Sequence, residues 1–134
     1  MPHNIIKRMF IIAGLSNILG VLICSKFLTN QFMMEVQPSV MGFFGLINIL
    51  LWGLAYIAVC KDYSKVRFLI AIFVIEKLIY VIAWLKIIST QSILSLYDND
   101  ILTGIFYTIY GLNDFIFMIF FSYVLVITRK NNIA

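Results

Sequence analysis

Four apolar stretches, each about 20 residues long, govern what this chain can become. They run from about Met9 to Leu28, Val40 to Cys60, Phe68 to Ile88 and Leu102 to Ile127. A helix rises about 1.5 Å per residue, so about 20 residues cross a hydrocarbon core of roughly 30 Å. Lipid offers no partner to a backbone N–H or C=O, and a helix satisfies its own. The stretches therefore predict an all-α integral membrane protein: one transmembrane domain over residues 1–134, built as an antiparallel four-helix bundle. The connections "TNQFMMEVQPS", "KDYSKVR" and "STQSILSLYDND" are short, which makes sequential helices neighbours. Composition agrees, with 63% hydrophobic and 12% charged residues, where a soluble domain carries about a quarter charged.

The net charge of +4 would point to nucleic acid in a soluble chain. Here the basic residues cluster at span ends. Lys7 and Arg8 precede the first span, Lys61, Lys65 and Arg67 join the second to the third, and Arg129 and Lys130 follow the fourth. In a four-span chain these regions share one side. The positive-inside rule makes that side cytoplasmic, with both termini in, and a bacterial inner membrane is the expected location. Topology accounts for the basic loops, so no nucleic-acid partner is expected. The first span is too long for a signal peptide and lacks a small-residue cleavage site, so it reads as an uncleaved helix. Cys24 and Cys60 fall at opposite faces, too far apart to bridge. With His3 they make no metal-ligand spacing, and no metal or cofactor is expected.

The polar residues within the spans carry the functional signal. Asn17, Asn48, the pair Glu76 and Lys77, and the pair Asn113 and Asp114 all fall near the middle of their spans. A charge at a helix centre costs about 2.5 to 3.5 kcal/mol on insertion scales, so the three charged residues together cost roughly 8 to 10 before pairing. They should face inward and pair. Glu76 and Lys77 are sequence neighbours about 100° apart around a helix, so a cross-helix pair of Lys77 with Asp114 is expected. One of Asn17, Asn48 and Asn113 would then bond Glu76. Aromatic residues extend this level at helical spacing: Trp52 after Asn48, Tyr80 and Trp84 after Glu76, and Tyr107 and Tyr110 before Asp114. These eleven residues form the expected ligand-binding set.

The segments "GLSN", "GLIN" and "GLND" begin at residues 14, 45 and 111 and suggest a weak internal repeat. The pattern "GLINILLWGLAY…IEKLIY…YGLNDFIF" resembles the DoxX-like group of small four-span bacterial membrane proteins. That resemblance implies the architecture and carries over no site residue. Apolar walls with a few convergent polar groups suit binding or transport of a small lipophilic or amphipathic ligand. Two other classes rest on the same residues. One is an accessory subunit whose midplane ions specify a homo-oligomer or a membrane-protein partner. The other is an enzyme on a lipid, isoprenoid or quinone, with Glu76 or Asp114 as acid or base.

Overall fold

The computed structural model describes residues 1–131, with side chains through Arg129, and among the described residues it contains helices and no strands. Seven helices follow in order: α1 (His3–Cys24), α2 (Gln31–Val36), α3 (Pro38–Met41), α4 (Phe43–Val59), α5 (Arg67–Thr90), α6 (Ile93–Asn99) and α7 (Ile101–Asn131). Among the described residues, α1, α5 and α7 are long and apolar enough to cross a membrane. The fourth apolar helix, α4, has 17 residues, about 26 Å of rise.

The expected second span is thus two pieces. Pro38 begins α3, where a missing N–H is harmless, and Gly42 then leaves helical geometry with ψ 178° before α4 starts. The break brings the Val40 carbonyl over Gly45, where any Cβ would collide with it. The first span also ends earlier than expected, at Cys24 rather than Leu28. Lys26, Phe27 and Leu28 all adopt positive φ, between 51° and 66°, a conformation that costs about 1 to 3 kcal/mol per non-glycine residue. Both connections at this end of the molecule are themselves helical: α2 and α3 fill one, and α6 fills the other.

The long helices pack in pairs, α1 along α4 and α5 along α7, and α1 also touches α7. Gly14 and Gly53 set the α1–α4 crossing. A Cβ on Gly53 would lie 2.7 Å from the Gly14 carbonyl oxygen, so only hydrogen fits at this approach. On the other pair, the Trp84 indole of α5 lies against Gly111 of α7. The three similar segments therefore serve three purposes: a helix crossing at Gly14, room for the Val40 carbonyl at Gly45 and an indole seat at Gly111. Nothing in their packing marks a repeat.

Two apolar clusters fill the interior. The one near the termini gathers Phe10, Tyr56, Tyr63, Phe73, Phe117 and Phe121. The one near the α2–α3 and α6 connections gathers Val21, Met33, Leu46, Leu96, Phe106 and Tyr107. Between them lie the buried polar residues Asn17, Glu76, Lys77 and Asp114. The outward faces are apolar: Leu15 and Leu19 on α1, Leu51 and Leu54 on α4, Ile75 and Ile79 on α5, and Leu112 and Ile116 on α7 are all exposed. A soluble protein rarely exposes apolar faces on every long helix at once. A helical protein in lipid displays them.

Candidate functional site: a charged layer beneath a lateral cavity

The layer between the two clusters takes Asn17 from α1, Glu76 and Lys77 from α5 and Asp114 from α7. Lys77 of α5 is its centre, with 1% exposure. Its Nζ donates to Asp114 Oδ1 of α7 at 2.6 Å and to Asn17 Oδ1 of α1 at 3.2 Å. This is the cross-helix pair expected from the spacing. Asn17 in turn donates to the Ile49 carbonyl of α4 at 3.4 Å. Lys77 Nζ also lies 5.1 Å from the centre of the Tyr56 ring, within cation–π range.

Glu76 is bound differently from the expectation. Its Oε2 accepts a short hydrogen bond from the Tyr56 hydroxyl of α4, not from an asparagine. Its Oε1 lies 4.0 Å from Lys77 Nζ and, among the described residues, has no donor within hydrogen-bond distance. Two carboxylates thus face one ammonium in an interior where charge is expensive.

Above this layer is a cavity of about 100 Å³, room for several waters or a small organic group. Its floor is Asn17, Glu76, Lys77 and Asp114. Tyr80, Tyr110, Phe106, Val21 and Ile49 form its walls, and Cys24 and Met41 lie at its far end. Ser16, Gly20, Ile109 and Asn113 line it too, and all four are only partly buried or exposed. They mark a mouth between α1 and α7 that faces sideways, out of the helical body. Gly20 keeps that mouth wide, since an added Cβ there meets nothing within 4 Å.

On the other side of α5 is a wider open groove of about 470 Å³ between α4 and α5. Asn48, Trp52 and Phe44 line it from α4, and Ile75, Glu76 and Tyr80 from α5. Glu76 and Tyr80 therefore belong to both spaces and form part of the wall between them.

Of the eleven residues expected from the sequence, Asn17, Glu76, Lys77, Tyr80, Tyr110, Asn113 and Asp114 surround the cavity. Asn48 and Trp52 lie in the groove instead, and Asn48 is exposed. The reason is helical geometry. A step of four residues advances about 40° beyond a full turn. Asn48 and Tyr56, two steps apart, are therefore about 80° apart; Tyr56 faces inward and Asn48 does not. Trp84 and Tyr107 also lie off the cavity. Trp84 Nε1 donates to the Tyr107 carbonyl at 2.7 Å, and the Tyr107 hydroxyl donates to the Met33 carbonyl at 2.8 Å, tying α5 and α7 to α2. Two residues outside the expected set matter to the site. Tyr56 holds Glu76, and buried Gln37 accepts from the Tyr110 hydroxyl at 2.9 Å while donating to the Ala83 carbonyl at 3.0 Å. The glutamine locks one wall of the cavity from the junction of α2 and α3.

A second polar cluster closes the connection end. Asp100, just before α7, accepts from Thr103 Oγ1 at 2.6 Å, Thr103 N at 3.0 Å, Asn30 Nδ2 at 2.8 Å and Lys26 Nζ at 3.2 Å. Asn30 also donates to the Cys24 carbonyl at the end of α1. The Thr103 hydroxyl above all, with Asn30 and Lys26, holds the Asp100 carboxyl well below the usual carboxylate range. This cluster fastens the strained turn after α1 to the start of α7. Comparison with protein-family models, with curated proteins and with solved structures finds no match for the chain.

Proposed function

We propose that this chain is an inner-membrane four-helix bundle, with both termini cytoplasmic, that binds a small lipophilic or amphipathic ligand in the cavity beside Glu76. The basic residues at the terminal end support that orientation. One observation carries the functional reading: an aromatic-walled cavity opens sideways between α1 and α7, and its floor is an ion cluster that only a membrane interior makes so costly. A ligand dissolved in the bilayer enters through that mouth without crossing water. The polar floor orients its head, and the aromatic walls hold its apolar part. Glu76 and Tyr80, shared with the groove, give a route by which binding leads to transport.

The test is native mass spectrometry of protein extracted gently from membranes. The parent, a Glu76→Gln/Asp114→Asn double variant and a Gly20→Phe variant are compared. The expected result is a discrete bound mass on the parent that both folded variants lose. Gly20→Phe plugs the mouth without touching the ions. A bare mass for all three, with equal thermal stability, would reject the reading in favour of an accessory subunit.

A further inference from the structure

We infer that the ligand of this cavity is a lipophilic cation, an organic ammonium, which exchanges with one proton at Glu76. This rests on the binding reading above and adds the charge and the coupling. The argument begins with the count of charges. Glu76 and Asp114 are carboxylates and Lys77 is the one cation among the described residues of the layer. Lys77 commits its shortest contact to Asp114, at 2.6 Å, and stands 4.0 Å from Glu76. One negative charge is left over. In a low-dielectric interior that charge is compensated by a proton or by an arriving cation, and both cannot occupy it together.

Geometry places the surplus where a ligand reaches it. Glu76 is 6% exposed and lines the cavity, and among the described residues its Oε1 has no donor within hydrogen-bond distance. Asp100 shows how the same chain satisfies a carboxylate that needs no ligand: with four donors. The groups facing Glu76 are Tyr56 from α4, Lys77 and Tyr80 from α5, Asp114 and Tyr110 from α7 and Asn17 from α1. Lys77 is the only cation in that set. An anionic ligand would meet Asp114 and demand that Glu76 keep its proton, while a neutral one would leave that proton in place and gain nothing from the surplus carboxylate. A cation meets Glu76 Oε1 and the rings of Tyr80, Tyr110 and Phe106, whose faces attract positive charge when water is excluded.

The exchange balances simply. In the empty state the Glu76 carboxyl holds a proton. When a quaternary ammonium enters, that O–H bond breaks, the proton leaves to bulk water and the carboxylate remains as counter-ion. No oxidant or further reactant is involved.

The probe is radiolabelled tetraethylammonium, with the full-length protein in lipid nanodiscs, between pH 5.5 and pH 9. Saturable binding is expected. On the acid side, affinity weakens by up to about tenfold per pH unit, as one-proton competition requires. A pH-indicator dye then registers proton release on binding. Glu76→Gln weakens binding by about thirtyfold or more, the lower range for removing one partner of a buried charge pair. Gly20→Phe abolishes binding while leaving Glu76 intact. The neutral isostere 3,3-diethylpentane does not compete. Affinity that is flat with pH, equal binding by Glu76→Gln, competition by the isostere, or no binding at all overturns the inference. If tetraethylammonium fails while the native mass spectrum still shows a bound mass that Gly20→Phe removes, the site stands and only its charge preference falls. If that mass is also missing, the binding reading falls with it.

Discussion

Asp100 and Glu76 are both carboxylates near a lysine, and they are held in opposite ways. Asp100 sits at the helix-connection end, before α7, with four donors on its two oxygens and Lys26 beside it. Its environment is complete. Glu76 sits in the buried layer with one tyrosine donor, a lysine already committed elsewhere and one oxygen turned to an open cavity. The structural carboxylate is the saturated one, and it stands where water makes error cheap. The unsaturated one stands where error is most expensive. A chain that can build the Asp100 cluster can also satisfy a carboxylate in its core. The incomplete environment of Glu76 is therefore the feature on which the proposed ligand site rests.

The strongest test of this contrast is to remove the cation each carboxylate uses. Lys77→Leu leaves Asp114, Glu76 and Asn17 facing one another with no positive charge. Breaking a buried pair from one side costs about 3 to 5 kcal/mol, so the variant should lose most of its folded population when melted by tryptophan fluorescence in nanodiscs. Combining it with Glu76→Gln and Asp114→Asn should restore much of that loss. Lys26→Leu removes the partner of Asp100, whose lysine is half exposed, and should change stability by less than about 1 kcal/mol. Equal losses from the two lysine variants would erase the distinction.

Next in size is Asp100 itself. Asp100→Ala removes the cap on the Thr103 amide and frees Asn30 and Lys26, so the strained turn after α1 is no longer tied to the start of α7. Loss of an N-cap costs about 1 to 2 kcal/mol. The pH dependence has a definite sign. The folded state holds the Asp100 carboxyl below its ordinary value. Its contribution is therefore complete above the unfolded pKa, near about 3.9, and is lost as pH falls through the folded value. Melting temperature should then respond to Asp100→Asn at pH 7, and the gap between parent and variant should narrow only below about pH 4. A gap that closes already at pH 6 would refute the assignment.

Depth was legible in the sequence and direction around each helix was not. Hydropathy and spacing locate Asn17, Glu76, Lys77 and Asp114 at one level, because depth follows directly from position along an apolar run. The Lys77–Asp114 pair follows from the energetic demand that opposite charges at one level meet. Facing is harder, since outward and inward faces of these helices are equally apolar and no amphipathic stripe separates them. That is why Asn48 and Trp52, at the right depth, lie in the groove, and why Tyr56, four residues beyond Trp52, stood outside the expected site although it holds Glu76. The break at Gly42 and the early end of α1 were hidden for another reason. Both depend on contacts between distant segments, of Asn30 with Asp100 and of Gln37 with Ala83 and Tyr110.

The smallest expected effect separates the two asparagines that once looked alike. Asn17→Leu takes the oxygen from Lys77 Nζ and the amide from the Ile49 carbonyl, both inside the layer. A hydrogen bond to a charged group is worth about 1.5 to 3 kcal/mol, so a loss near the lower figure is expected, with displaced ligand in the native mass spectrum. Asn48 is exposed on the groove wall and, among the described residues, makes no side-chain hydrogen bond. In the proposed membrane setting this wall faces lipid, and its amide is better replaced than kept, since leucine gains roughly 0.5 kcal/mol on insertion scales. Asn48→Leu should therefore leave stability unchanged or raise it by a few tenths of a kcal/mol, with the bound mass intact. The measurement has a sharp alternative. If Asn48→Leu destabilises the protein as much as Asn17→Leu does, the groove is not a lipid-facing wall in the membrane. Asn48 would then be bonded across it to a second chain, and crosslinking from a cysteine at residue 48 would report that contact.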